Sequence, residues 1–165
     1  MWSQHNWLRS VFRDNMRMDN FAGELLTAVG SPYANGPANF FVIGSRDDWT
    51  ETACQVFLGV RMQCAKCHHH PFENIAQADY YSMTAFFSRV AKKNSTEFGL
   101  QGSDTTIYLT MAGEASHPKT GKILPPKPIG GPVTEDPIDR RNGLVTWLKD
   151  KNNPALARNF VNRYW

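Results

Sequence analysis

The stretch Asp47-Asp48-Trp49-Thr50-Glu51-Thr52-Ala53-Cys54-Gln55-Val56-Phe57-Leu58-Gly59-Val60-Arg61-Met62-Gln63-Cys64-Ala65-Lys66-Cys67-His68-His69-His70-Pro71 governs the reading of this chain. Its first half has helical periodicity, with Ala53, Val56, Phe57 and Val60 on one face. Asp47 or Asp48 is placed to cap that helix, and Glu51 to close a capping box on Asp48. Pro71 cannot continue a helix interior, so the chain turns after His70. Between these signals, at or just beyond the helix end, lies Cys64-Ala65-Lys66-Cys67-His68, a C-x-x-C-H motif. The spacing suits covalent attachment of a c-type haem. Two thiols add to two porphyrin vinyl groups, and the adjacent imidazole of His68 reaches the iron from the same turn.

Working outward, the pattern is mostly helical. Upstream, Trp7, Leu8, Val11 and Phe12 recur at helical spacing between Trp7 and Met18. Phe21, Ala22, Leu25, Leu26 and Val29 repeat it before Gly30-Ser31-Pro32 halts the helix. Residues 30–46 read as a loop around the apolar patch Phe40 to Ile43. Downstream, a helix from about Asp79 carries Met83, Phe86, Phe87 and Val90 on one face, with Tyr80 and Tyr81 beside it. These side chains are placed to wall a flat cofactor or to form core, and helical spacing favours core. Thr106 to Met111 alternates as a half-buried strand. Pro118-Lys119-Thr120-Gly121 reads as a turn, and a short strand around Lys122 to Leu124 completes an expected hairpin.

The prolines and glycines from Pro125 to Pro137 predict an extended linker. Beyond it, Leu144, Val145, Trp147 and Leu148 mark a short helix. Asn153-Pro154 then caps a last helix with Leu156, Phe160, Val161 and Tyr164 on one face. The expected fold is mainly α with a small β-hairpin. It divides into a compact helical domain with the hairpin over 1–124, a linker over 125–137, and the truncated start of a following helical domain over 138–165. An apolar face running out at Trp165 reads as part of something longer.

With 165 residues, 41% of them hydrophobic, the chain has material for one core. The formal charge of +3 comes from scattered Lys and Arg without a basic stripe, so nucleic acid is not an expected partner. No run reaches membrane-span length, and Met1 to His5 opens no secretion signal. Three cysteines make no disulfide framework and are too few for a four-cysteine iron–sulfur cluster. There is no G-x-S-x-G elbow, phosphate-cradling glycine loop or H-E-x-x-H helix. Asp47, Asp48, Glu135, Asp136 and Asp139 are acids a glycosidase would use, but here they fall at capping and loop positions.

Three chemistries compete for the motif. In the haem reading Cys64 and Cys67 form thioethers and His68 ligates iron, with Met83, Met111 and His117 as candidates for the opposite face. A Met there would favour electron transfer, and an open position would favour small-ligand chemistry. The second reading is a zinc or non-haem iron site. It takes Cys64, Cys67 and either His68 or His70, with Cys54 or Glu73 as a fourth ligand, and would be structural or hydrolytic. His70 is its sharper clue, because haem attachment does not require it. The ordinary role of His70 would be a hydrogen bond to backbone near Pro71. The third reading, a bare thiol pair or disulfide, lacks the strand–helix context of thioredoxin-like motifs.

The block Phe57-Leu58-Gly59-Val60-Arg61-Met62-Gln63-Cys64-Ala65-Lys66-Cys67-His68-His69-His70-Pro71-Phe72-Glu73, with Asp79-Tyr80-Tyr81 and Ala85-Phe86-Phe87, resembles the second cytochrome-c-like domain of large secreted planctomycete proteins. Phe21-Ala22-Gly23-Glu24-Leu25-Leu26 is similar to an earlier block of that domain. Asp139-Arg140-Arg141, Trp147-Leu148, Asn153-Pro154, Ala157-Arg158 and Val161-Asn162-Arg163-Tyr164-Trp165 resemble the opening of the planctomycete-specific domain that follows it. The resemblance implies haem c, partnership with further cytochrome domains or a redox partner in a larger parent chain, and a periplasmic or extracellular parent. It also implies a setting of polysaccharide degradation. The chain departs from the family by lacking the export signal and most of the last domain.

Overall fold

The structure, a computed structural model, describes residues 2–95 and 104–165. Helices α1 (Trp2–Arg13) and α2 (Met18–Leu26) are joined through Asn15, which takes a left-handed φ of 48°. Trp7 stacks on Phe21 with ring centroids 5.1 Å apart, the contact that the spacing of these aromatics allows. The 3-10 turn Gly36–Phe41 lies close against α1. A Cβ on Gly36 would sit 2.6 Å from the carbonyl of Ser3, so only glycine permits this approach.

Helix α3 (Arg46–Ala53) begins two to three residues earlier than its acids suggest. Ser45, not Asp47 or Asp48, is the cap, and the Asp48 carboxylate accepts both the N–H and the hydroxyl of Ser45 at 2.7 Å. Glu51 instead accepts the Tyr80 hydroxyl at 2.9 Å. The helix runs on as a π turn, Cys54–Leu58, ended by Gly59 at φ 73°. The wider turn rotates the apolar face. Cys54 and Phe57 point into the core, while Val56 is exposed and Val60 only half-buried.

Helix α4 (Gln77–Thr84) and the 3-10 turn Ala85–Phe87 bury Tyr80, Met83, Phe86 and Phe87, the core role that helical spacing favoured. Strand β1 (Val90–Ser95) then pairs antiparallel with β2 (Asp104–Leu109), from Val90 opposite Leu109 to Ser95 opposite Asp104. The hairpin therefore differs from expectation. The strand predicted at Thr106–Met111 takes the preceding segment as its partner, because six register pairs are available there. The turn at 118–121 joins only the two-residue strands β3 (Ala115–Ser116) and β4 (Ile123–Leu124). Ile107 also exchanges two backbone hydrogen bonds with Gly30, tying the hairpin to the end of the α2 segment.

Residues 125–137 have no helix or strand, yet Pro126 and Pro128 are buried, and the Lys127 N–H donates to the Ser82 carbonyl. Helix α5 (Arg141–Lys149) packs on α2, where a Cβ on Gly23 would lie 3.2 Å from Val145 Cγ1. Leu144 and Leu148, with Leu156 from α6 (Ala155–Tyr164), join the same buried cluster as Leu26, Phe41 and Phe87. Arg141 is fully buried. It grips Asp139 in a two-pronged pair (2.9 and 2.8 Å), donates to the carbonyls of Thr27 and Ala28, and lies 5.3 Å from the centroid of the Phe41 ring. The mainly helical fold with its small antiparallel hairpin is the expected class. Among the described residues no helix is long and apolar enough to cross a membrane.

Candidate cofactor site

The C-x-x-C-H motif lies on a 3-10 turn, Gln63–Lys66, that follows the left-handed Gly59. A 3-10 helix has three residues per turn, so positions i and i+3 eclipse. Met62 and Ala65 therefore share the inward face, where both are fully buried, while Cys64 and Cys67 share the outward face. Both outward cysteines are exposed, free thiols. The Cys64 carbonyl accepts the N–H groups of Cys67 and His68, each at 3.3 Å, which closes the turn.

A second layer fixes this turn from α4. The Lys66 carbonyl, between the two cysteines, accepts from the Gln77 amide at 2.8 Å and from the Tyr81 hydroxyl at 3.2 Å. Gln77 is only 5% exposed, so its amide is committed to this bond. Lys66 Nζ pairs with Asp47 at 2.8 Å, a hydrogen bond that raises the lysine's pKa. Burial, and then the Asp47 charge, push the Tyr81 hydroxyl up, and the neighbouring Cys67 acts in the same direction. These supports were missed in the sequence. A Gln at the start of a helix and a Tyr beside an apolar face carry no local signal of a bond made 11 or 15 residues away.

The ring nitrogens separate the histidines. His68 Nδ1 lies 2.6 Å from the His69 carbonyl, and a carbonyl only accepts, so His68 carries its proton on Nδ1 and turns an Nε2 lone pair outward. The others are set the opposite way. Nδ1 of His70 accepts from the N–H groups of Phe72 and Glu73 at 3.3 and 2.9 Å, that of His69 from Gln77 at 3.4 Å, and that of His117 from Lys119 at 3.2 Å. Those contacts place the ring proton on Nε2. A metal taking Nε2 of His70 would break the bonds that hold the turn after Pro71, whereas His68 offers Nε2 and keeps its hydrogen bond.

The residues that could supply a further ligand are dispersed. Met83 is buried in the core and Met111 is 92% exposed. His117 shares a neighbour with the motif, its ring 6.3 Å from that of Tyr81. Cys54 is fully buried, which pushes its thiol well up from its ordinary range, while Glu73 is exposed. Among the described residues no three His, Cys, Asp or Glu side chains converge in a group able to hold a metal ion. Four of the five acids weighed for glycoside hydrolysis are engaged structurally, and the fifth, Glu135, is exposed. Asp47 holds Lys66, Asp48 caps α3, Asp136 accepts the N–H groups of Ile138 and Asp139, and Asp139 holds Arg141.

The PSCyt2 family, described as a protein of unknown function (DUF1549), matches residues 1–92, more than half of the chain and the whole of the motif turn. The chain belongs to this family of planctomycete-type domains of unknown function. No curated protein and no solved structure matches it.

Proposed function

We propose that this member of the PSCyt2 family is a covalent c-type haem-binding domain that passes electrons within a larger exported protein. The observation that carries the reading is the 3-10 turn. It turns Cys64 and Cys67 outward on one face as free thiols, and next to them stands His68, the one of the three consecutive imidazoles whose Nε2 is available without loss of a hydrogen bond. This donor set fits a c-type haem, whose attachment needs two accessible thiols and one adjacent neutral nitrogen.

In this reading Cys64 and Cys67 would hold the group through two thioether bonds, each thiol's S–H adding across one vinyl group with nothing released. His68 keeps Nδ1–H on the His69 carbonyl, which orients the ring and makes Nε2 a better donor. Gln77 and Tyr81 hold the Lys66 carbonyl, and through it the spacing of the two sulfurs. The bound iron would supply one-electron exchange between ferrous and ferric states. Attachment outside the cytoplasm places the parent protein in the periplasm or beyond, with another cytochrome domain or a redox protein as partner.

The test is expression with a haem-attachment system, followed by mass measurement under denaturing conditions, a visible spectrum and iron and zinc analysis. The expected result is a mass increase of one haem that survives denaturation and is lost in C64A/C67A. H68A should retain the added mass but lose the spectrum of an imidazole-ligated iron. Zinc at one equivalent with no added mass would sink the reading in favour of a Cys/His metal site.

A further inference from the structure

Away from the thiol turn, the π turn, the residues after it and α6 enclose a cleft of about 520 Å3. Arg61, Arg158 and Arg163 line it, and no carboxylate does. Six arginines elsewhere (Arg13, Arg17, Arg46, Arg89, Arg140 and Arg141) each lie against an Asp or Glu. In the cleft, Arg163 donates to the Gln55 carbonyl at 2.8 Å, while the guanidinium groups of Arg61 and Arg158 have no hydrogen bond or ion pair among the described residues. Three positive charges thus line one concavity with no carboxylate among them. A concavity lined by one sign of charge attracts the opposite ion.

The lining also includes the apolar side chains of Leu58, Val60, Ile129 and Trp147. The cleft is also built rather than incidental. Gly59, at φ 73°, leaves room for Asn159, whose Oδ1 would lie 2.6 Å from any added Cβ. Asn159 is itself buried and anchors α6 by donating to the Val56 carbonyl at 2.6 Å. Arg158 and Asn162, one turn apart on α6, both line the cleft on the helix that Asn159 anchors.

We propose that this cleft binds a small molecule carrying an oxyanion on an apolar or aromatic body. Its charged group is taken by the guanidiniums of Arg61 and Arg158, and its body lies on Ile129 and Trp147. Guanidinium forks match the planar edge of a carboxylate or two oxygens of a phosphate, and the apolar lining discriminates against bare ions. Neither cysteine of the motif and none of the histidines lines the cleft, so the proposal stands or falls independently of haem attachment.

The full chain is titrated with phenyl phosphate, benzoate and inorganic phosphate, read by calorimetry and by NMR shifts of the arginine Nε–H and Trp147 indole signals. Saturable binding is expected for at least one aromatic anion, tighter than for inorganic phosphate. Comparison of phenyl phosphate with benzoate tells which headgroup the arginines prefer. R61Q/R158Q should weaken binding by about tenfold or more, as expected for losing charge-assisted hydrogen bonds. Both side chains are exposed, so the melting temperature should not move. Undiminished binding in R61Q/R158Q, shifts confined to residues outside the cleft, or no saturable binding of any probe each overturns the proposal.

Discussion

The turn at Gln63–Lys66 and the knot at Asp139–Arg141 are held by the same kind of bond, a side-chain donor on a backbone carbonyl, but they serve opposite ends. In the turn, neutral groups from Gln77 and Tyr81 fix one carbonyl so that two thiols face solvent. In the knot, a fully buried guanidinium satisfies two carbonyls and a carboxylate so that α5 closes on α2. A neutral hydrogen bond contributes about 1 kcal/mol net, whereas breaking a buried ion pair from one side costs about 3–5 kcal/mol. The reactive region is therefore placed by weak bonds on a strong core.

The sharpest way to break that comparison is Arg141→Ala. It strands Asp139 and the carbonyls of Thr27 and Ala28 and opens a gap beside Phe41, so a loss of about 3–5 kcal/mol is expected by urea denaturation. The three cysteines give a second readout. In the haem-free chain Cys64 and Cys67 should react with a thiol reagent at once, and Cys54 only when the core opens. R141A should speed labelling of Cys54 and leave the other two unchanged. If all three accelerate together, the turn depends on the knot and the contrast is wrong.

What the sequence made legible follows the same division. The motif, the helix before it and the turn at Pro71 are local patterns, readable from spacing alone. Helical faces such as Met83, Phe86 and Phe87 were legible for the same reason. The partner of β2 was not, because strand pairing is decided between segments, and the Val90 region looked like the continuation of a helix. Arg141, next to Arg140, carries no local sign of burial. Its burial depends on carbonyls more than 110 residues away. The Arg-lined cleft was invisible for the same reason, since Arg61 and Arg158 meet only when α6 docks beside Gly59.

Gln77→Ala tests the weaker side of the comparison. It removes one of two donors to the Lys66 carbonyl, and Tyr81 remains, so global stability should fall by only about 1 kcal/mol. The larger effect is local. The turn loosens, the labelling rates of Cys64 and Cys67 change, and the yield of covalent haem drops while the attached fraction keeps its spectrum. A Q77E variant, which presents a carboxylate towards a carbonyl, should be worse than alanine, an ordering that a purely space-filling role for Gln77 does not produce.

The smallest effect expected is at the start of α3, which leads the chain to the turn. Asp48 accepts the Ser45 hydroxyl and N–H, and these bonds, the hydroxyl first, hold its carboxyl below the usual carboxylate range. Its pKa is therefore lower in the folded chain than in the unfolded one, near 3.9. The stabilisation is complete above that unfolded value and is lost as pH falls through the depressed folded value. Ser45→Ala removes the hydroxyl bond. At pH 7 it should cost about 0.5 kcal/mol, the low end for a helix cap, because both side chains are exposed and water competes. The gap between wild type and S45A should hold down to about pH 5 and narrow below about pH 4 as Asp48 takes up its proton. Urea titrations across that range measure it. A gap that widens on acidification would mean that the protonated carboxyl is the better partner for Ser45. Asp48 would then not be the charged anchor that sets where α3, and so the thiol turn, begins.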